Sequence, residues 1–132
     1  MRPQSAKAKG RRFQQWVRDA LLEAAIWLEQ DDVRSTSMGA SGEDILLSPA
    51  ARKIYPLSIE CKNVEKINIW KSLEQAEAHA GVYNATPALF FKRNRSEAYV
   101  AVPAKFLINV LVGQARTAAA VREYIDPNNL ED

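Results

Sequence analysis

The sequence predicts a mixed α/β domain, with one central β-sheet of about five strands flanked by helices. Two long segments carry apolar residues at intervals of three and four, which is typical of amphipathic helices. Five short apolar segments bounded by turn-forming residues are typical of strands. Because the chain has only 132 residues, we expect a single domain, residues 1–132, in the order α-β-β-β-α-β-β-α.

The first half of the chain begins with ten residues rich in small and basic side chains, which favours a flexible arm. The apolar stripe that follows predicts the first helix, and three apolar runs predict the first three strands. The residues between the second and third strands contain proline and are expected to form a loop. The predicted ranges are 1–10 for the arm, 11–30 for the helix, and 33–37, 44–47 and 57–62 for the strands.

The second half repeats the pattern of helix and then strands. Helical spacing predicts a helix over residues 69–83, and two apolar runs, 88–92 and 97–102, are joined by a polar turn and so form a hairpin. Residues 103–132 are expected to form a C-terminal helical region, interrupted near Gly113. Its unusually apolar start is a candidate for capping the core or for a contact between two copies in a homodimer.

Composition excludes several classes of protein. An apolar content of 47% and a charged content of 26% are ordinary for a soluble globular protein. No apolar run approaches the roughly 20 residues that span a bilayer, and no apolar stretch follows the basic start as in a secretory signal. The single cysteine suits a reducing cytoplasm. Cys61 and His79 are too few for a zinc site of the usual Cys/His type.

The segment that carries chemistry is the third predicted strand. Alternate side chains of a strand share a face, so Ser58, Glu60 and Lys62 lie opposite an apolar set. Asp44 begins the preceding strand, and antiparallel pairing across the 48–56 loop would bring it opposite Glu60. Two carboxylates with a main-chain carbonyl form an incomplete oxygen cage of the kind that Mg²⁺ accepts.

A metal ion held there activates a water and stabilises charge on a phosphate, and the adjacent lysine neutralises the transition state. The E-x-K triplet alone is not specific, because a solvated strand with a surface ion pair has the same pattern. The combination with the Gly-Glu-Asp strand start and the flanking helices favours a phosphodiesterase site.

Four motifs together resemble the PD-(D/E)xK nucleases and, among these, the Holliday junction resolvases, including small bacteriophage versions. They are Lys9-Gly10, Gly42-Glu43-Asp44-Ile45, Ile59-Glu60-Cys61-Lys62 and Glu74-Gln75-Ala76, and the resemblance covers residues 7–102. It implies the PD-(D/E)xK, restriction-endonuclease-like fold and a homodimer that cuts four-way DNA junctions with Mg²⁺ or Mn²⁺. It also implies that Asp44, Glu60 and the carbonyl of Cys61 bind metal, that Lys62 is the catalytic lysine, and that Gln75 positions a phosphate or water.

The chain departs from this pattern in the first helix, where the resolvases usually place a glutamate. That position holds Gln14, which lies at the border of the buried stripe and contributes no charge. Either the site binds metal with fewer carboxylates, or Glu43 or Glu23 takes the role, although Glu23 is better explained as a solvated helix residue. His79, one turn after Gln75, is interpreted as an ordinary exposed residue.

Basic and hydroxyl-bearing residues outside this site suit a polyanion, because each neutralised phosphate releases counterions. For the basic residues near the N-terminus, an arm that merely keeps the protein soluble is an equally good explanation. Trp16, Trp27 and Trp70 lie at core-type spacing and are interpreted as packing. The candidate DNA-binding residues are Lys9, Arg11, Arg12, Arg34, Ser35, Ser37, Ser41, Lys92, Arg93 and Arg95.

The leading hypothesis is therefore an Mg²⁺-dependent endodeoxyribonuclease that resolves four-way junctions in branched double-stranded DNA. It would act as a homodimer without a membrane partner, in the cytoplasm, and the resemblance to bacteriophage enzymes extends this to the cytoplasm of a phage host. A related nuclease that cuts nicked, branched or duplex DNA has the same chemistry. A non-catalytic DNA-binding module of the same fold is the alternative from another class, and the absent first-helix glutamate is its best support.

Overall fold

The computed structural model describes residues 3–37, 42–126 and 128, and their side chains from Ser5 onwards. The chain divides into two compact units, residues 1–102 and 103–132, which we describe separately. The mixed α/β class expected from the sequence is confirmed. In chain order the elements are α1 (Pro3–Ala24), a 3₁₀ turn (Gln30–Asp32), β1 (Val33–Ser35), β2 (Ile45–Leu47), α2 (Pro49–Ile54), β3 (Leu57–Asn63), α3 (Ile69–Tyr83), β4 (Thr86–Lys92), β5 (Tyr99–Ala101) and α4 (Ala104–Ile125).

The described strands form two sheets, where the sequence predicted one. β1 and β2 pair antiparallel over three residues, while β3 pairs in parallel with β4 over seven residues and β4 pairs antiparallel with β5. A main-chain hydrogen bond from the amide of Asp44 to the carbonyl of Ile59 (3.1 Å) joins the start of β2 to β3. Because β1 and β2 are so short, this contact does not extend into a ladder.

The core of the first unit lies between α1 and β3. Consecutive side chains of a strand point to opposite faces, so Ile59 faces α1 while Glu60 faces the other side. α3 is the crossover that joins the parallel strands β3 and β4, and it packs against both. The apolar cluster holds α1 on the sheet, and its buried members are Phe13, Val17, Leu21, Val33, Ile45, Leu47, Ala51, Ile59 and Ala88.

Helix α1 begins and ends earlier than the sequence predicted. Residues 3–10, expected to be a flexible arm, form the first turns of α1, and Lys9 is only 7% exposed. Pro3 stands at the first helical position, where its missing N–H costs nothing, and the small and long straight side chains that follow favour helix. After Ala24 the chain leaves the helix in a turn closed by a bond from Leu28 N to Ala25 O.

The span expected to be a loop between β2 and β3 contains helix α2. Ser48 is its N-cap and accepts a hydrogen bond from Ala51 N (3.1 Å), and Pro49 occupies the first helical position. A serine followed by proline is a helix-start signal that was present in the sequence. The interpretation of the three tryptophans as core residues is also wrong, because Trp16, Trp27 and Trp70 are 54%, 69% and 78% exposed.

The second unit is described by α4, a single helix of 22 residues. It runs without a break through Gly113, so the predicted interruption there is wrong. By itself such a helix has no second element on which to bury its apolar side chains. In the described part of the chain, no helix combines the length and the hydropathy needed to cross a membrane.

Candidate active site

Asp44 is held at the start of β2 by main-chain contacts on both sides. Its amide bonds to the carbonyl of Ile59, and its carboxylate oxygen Oδ2 accepts a hydrogen bond from the amide of Cys61 (2.7 Å). Its own carbonyl oxygen accepts from the amide of Thr36 (3.0 Å) and from the side-chain amide of Gln14 (2.8 Å). These contacts fix the Asp44 carboxylate against β3, although the antiparallel pairing of β2 with β3 that the sequence predicted does not form among the described strands.

Glu60 lies in the middle of β3 and is 5% exposed. Burial raises the pKa of Glu60 to about 7, and the negative charge of Asp44 and a hydrogen bond with that side chain add to the rise. His79 acts in the opposite direction, because its ring nitrogen Nδ1 lies 2.6 Å from Oε1 of Glu60. Two carboxyl groups in contact disfavour a second negative charge unless a cation is present.

This pair of carboxyls fits a divalent metal ion that retains much of its water. Across residues 3–37 and 42–126, no set of three or more His, Cys, Asp or Glu side chains is arranged to hold a metal. Mg²⁺ and Mn²⁺ nevertheless suit the donors that are present, because one or two carboxylates with waters are a usual site for such hard cations. Asp44 and Glu60 are the residues that would hold the ion, with the carbonyl of Cys61 as the third ligand predicted from the sequence.

Lys62 follows Glu60 by two residues and therefore shares its face of β3. Its side chain is half-buried, and no carboxylate of the described chain forms an ion pair with it. Its ammonium is therefore not neutralised by a neighbouring acid. Cys61 points to the other face, where burial and the nearby carboxylates raise the pKa of its thiol. The thiol is thus neutral at physiological pH.

Two of the three residues considered for the role of the first-helix glutamate, Gln14 and Glu43, have other partners. Gln14 is 3% exposed and its side-chain nitrogen also donates to the carbonyl of Thr36 (2.8 Å), so it supports the main chain at Asp44. Glu43 is equally buried and pairs with Arg52 at 2.6 Å, while the Arg52 guanidinium stacks 4.0 Å from the centre of the Tyr83 ring. Glu23 is exposed in the last turn of α1. The described site therefore contains two acidic residues, Asp44 and Glu60.

A comparison with protein families gives a match over residues 5–131, to the family described as "Phage putative PDDEXK endonuclease". The chain belongs to this PDDEXK endonuclease family. Comparisons with curated proteins and with solved structures give no match. The family supports the nuclease part of the sequence prediction, and its members are described as phage proteins. Divalent metals are the general cofactors of PDDEXK nucleases.

In this PDDEXK chain, α3 brings His79 to the carboxylates, where the sequence had favoured Gln75. Gln75 is exposed, and its side chain makes no hydrogen bond with any residue that the structure describes. His79 lies one helical turn later on the same side of α3, and it contacts Glu60 directly. The sequence did not predict this contact. A single histidine in a helix has no distinguishing pattern, and the contact of His79 with Glu60 depends on how α3 crosses the sheet.

Six of the predicted DNA-binding residues line two cavities on either flank of α1. The first has a volume of about 480 Å³ and borders Thr36, whose amide and hydroxyl both bond to the carbonyl of Asp44. Its remaining lining residues are basic or polar, namely Arg11, Gln15, Arg18, Ser35 and Ser37. Guanidinium and hydroxyl groups next to Asp44 suit the phosphates that flank a scissile bond.

The second cavity is lined by three other predicted residues, Lys9, Arg12 and Lys92. Arg34, Arg93 and Arg95 are exposed, and Arg93 borders a smaller apolar cavity near Tyr99. Ser41 lies outside the residues that the structure describes. The described candidates are thus distributed over two surfaces, one next to Asp44 and one at the ends of β3 and β4.

Proposed function

We propose that this protein is a divalent-metal-dependent endonuclease that hydrolyses phosphodiester bonds in branched DNA, with the four-way junction as its preferred substrate. The observation that carries the proposal is the interaction of the half-buried carboxyl group of Asp44 with the buried carboxyl group of Glu60, with Lys62 on the same strand face as Glu60. The family assignment supports the nuclease chemistry. The junction substrate is supported by the resemblance of the sequence motifs to Holliday junction resolvases.

Each residue of the site has a task that its contacts support. Asp44, fixed by the Cys61 amide, and Glu60, oriented by His79, would hold the metal ion. When bound, such an ion lowers the pKa of a water and stabilises negative charge on the phosphate. The unpaired ammonium of Lys62 adds positive charge where the phosphate gains negative charge, without reorganisation during the reaction.

Metal-dependent cleavage tests the nuclease and the substrate together. A labelled four-way junction and a linear duplex of the same sequence are incubated with wild type in Mg²⁺, Mn²⁺ or EDTA. Glu60→Gln removes a metal ligand, and Glu77→Gln removes an exposed carboxylate from α3 as a matched control. We expect nicks near the branch point with wild type and Glu77→Gln, and none with Glu60→Gln or in EDTA.

Other results would replace this proposal. Equal cutting of the linear duplex would retain the nuclease and remove its preference for junctions. Junction binding without cleavage in any divalent metal would instead establish a DNA-binding module, the alternative that the absent first-helix glutamate favours. Loss of cleavage in both glutamate variants would indicate a general effect of charge rather than a metal ligand.

We further propose that the nuclease acts as a homodimer and that α4 contributes to the contact. Its apolar residues include Leu107, Ile108 and Leu111, each about half exposed, and a twofold contact must bury the same patch on both copies. Two sites in a twofold-symmetric dimer suit paired cuts in a four-way junction. Sedimentation of wild type and Leu111→Glu tests this: the variant should be monomeric and should nick one strand at a time, whereas an unchanged dimer would remove α4 from the interface.

A further inference from the structure

The cavity on the β4 side of α1 is distinct in chemistry from the polar cavity beside Asp44. It has a volume of about 610 Å³, within the range of roughly 300–1,000 Å³ that is usual for small-ligand sites. Its walls combine cations, an aromatic pair and an amide. A site that contacts only phosphate would need cations and hydroxyl groups but no aromatic surface. The residues that define this α1–β4 cavity are Lys9, Arg12, Phe13, Trp16, Asn63 and Lys92.

Lys9 gives the cavity a positive charge that is only partly compensated. Lysine is rarely buried unless it is paired, yet Lys9 is 7% exposed. Its ammonium lies 3.7 Å from a carboxylate oxygen of Glu65, whose side chain is 51% exposed. Arg12 and Lys92 add two further cations to the same walls. A bound anion would balance this concentration of charge.

Trp16 supplies an aromatic surface that the core holds in place. Its ring stacks on Phe13, with ring centres 6.0 Å apart and planes at 16°. Phe13 is 3% exposed and belongs to the apolar core, whereas Trp16 is 54% exposed. One face of the indole is thus supported by a fixed side chain, while much of the ring remains open. Bases of single-stranded nucleic acid stack on aromatic surfaces of this kind.

Asn63 places a hydrogen-bonding group at the same cavity. Its side-chain oxygen is buried and has no hydrogen-bond partner among the described residues. Buried polar atoms are normally bonded, so one that is not requires an explanation. Asn63 follows Glu60 by three residues on β3, which places the two about 10 Å apart along the strand and on opposite faces of it. The cavity therefore lies on the α1 face of β3, opposite to the face that carries Glu60.

We propose that the α1–β4 cavity binds an unpaired nucleotide of the DNA substrate, with its base on Trp16 and its phosphate among Lys9, Arg12 and Lys92. This inference rests on the proposed function and deepens it, because it names the substrates as branched DNA with unstacked nucleotides at the branch. A nucleoside monophosphate unit is the chemistry that the cavity recognises. It is available from the substrate strand or from free nucleotide, and the test separates these sources.

Binding is measured in EDTA, by fluorescence anisotropy, with a flap substrate that contains unpaired nucleotides and with a fully paired duplex of the same length. The variants are Trp16→Ala and, as a matched control, Trp27→Ala, which removes a tryptophan that is 69% exposed and lies outside the cavity. We expect Trp16→Ala to weaken flap binding by about 5- to 150-fold, the range that alanine substitution of a stacking residue gives. Duplex binding, and both affinities of Trp27→Ala, should remain unchanged.

Two further variants test the other parts of the cavity and guard against misfolding. Trp16→Phe retains a stacking surface and should restore most of the flap affinity. Lys92→Met should weaken flap binding and reduce its salt dependence, because one fewer phosphate is neutralised. Lys53→Met removes an exposed lysine from α2 and should change neither the flap affinity nor its salt dependence. Thermal unfolding of each variant establishes that loss of binding is not loss of fold.

Two results would overturn the inference. The first is a Trp16→Ala protein that binds flap and duplex as the wild type does, or that loses both equally. The second is binding of deoxynucleoside monophosphate that Trp16→Ala abolishes but that does not compete with flap DNA, since this would assign the cavity to free nucleotide. Neither result depends on cleavage. A wild-type protein that fails to cut DNA would therefore refute the proposed function without refuting nucleotide binding at the α1–β4 cavity.

Discussion

The side-chain nitrogen of Gln14 donates a hydrogen bond to the main-chain oxygen of Asp44 at 2.8 Å. Helix α1 therefore reaches the site through the backbone of the aspartate that we propose as a metal ligand, rather than through a ligand of its own. The same nitrogen also donates to the carbonyl of Thr36. The position at which the resembled resolvases carry a glutamate has here become a donor that fixes the start of β2.

Restoring the glutamate should consequently harm the protein. Gln14→Glu places a buried carboxylate against two carbonyl oxygens and removes their donor, so we expect a loss of about 3 kcal/mol in the free energy of unfolding and weaker cleavage. Chemical denaturation and junction cleavage measure the two effects. Gln14→Ala, which removes the donor without adding charge, should be less destabilising. A Gln14→Glu variant with tighter Mg²⁺ binding and faster cleavage would instead show that this position faces the metal.

The pKa of Glu60 predicts how stability depends on pH. The pKa is raised from 4.5 to about 7 in the folded chain. Between these values the folded state retains a proton that the unfolded state has lost, so the free energy of unfolding falls as pH rises through this window. Denaturant titrations of wild type and Glu60→Gln at pH 5 and pH 8 measure this. The difference in the free energy of unfolding between wild type and Glu60→Gln should narrow or reverse at pH 5. Equal changes in both proteins between pH 5 and pH 8 would contradict this prediction.

A divalent cation should offset that loss of stability. At pH 8, above its raised pKa, Glu60 is charged beside Asp44, and an ion that binds only the folded state raises stability by about 2.7 kcal/mol at 100 times its Kd. We expect Mg²⁺ or Mn²⁺ to raise the melting temperature of wild type more at pH 8 than at pH 5.5. Asp44→Asn and Glu60→Gln should show little change. An equal rise in all three proteins would indicate ion binding elsewhere.

His79 should act as a positioning residue for Glu60. Its contact lowers the pKa of Glu60, so His79→Ala should raise that pKa and move the acidic limb of the kcat/KM profile to higher pH. At neutral pH we expect about a 10-fold loss of activity, as is common for residues that orient a metal ligand. Gln75→Ala is the control from the same side of α3. If Gln75→Ala costs more activity than His79→Ala, the original sequence prediction for Gln75 is the better one.

The Glu43–Arg52 pair should matter for stability rather than chemistry. Glu43 has a nearly inaccessible side chain, and Arg52→Ala would leave its charge without a partner, at a cost of about 3 kcal/mol. Replacing both residues, as Arg52→Ala with Glu43→Gln, should recover part of that loss because no buried charge remains. Equilibrium unfolding of the single and double variants tests the coupling, and additive losses would contradict it.

The sequence predicted the parts of the site that depend on local periodicity. Strand alternation is sufficient to place Glu60 and Lys62 on one face, and the acidic start of β2 identifies Asp44. The sequence did not predict the contact of His79 with Glu60, because this contact depends on the path of α3 between two parallel strands. Trp16 was misjudged for a related reason: it lies at the edge of the apolar stripe of α1, where spacing does not indicate which side chains are covered. Helix α2 was not predicted because the proline between the second and third predicted strands indicated a loop, although proline also favours the first position of a helix.

The parallel pairing of β3 with β4 has a consequence for how the nuclease is made. Both carboxylates are present once residue 60 has been synthesised, but every residue of β3 is paired with a partner from residues 86–92. Long-range pairing of this kind forms only after the intervening chain is available. A nascent or truncated chain that stops before β4 therefore contains the proposed site residues Asp44, Glu60 and Lys62 without the strand that pairs with β3. Cleavage should begin only when the fold is complete.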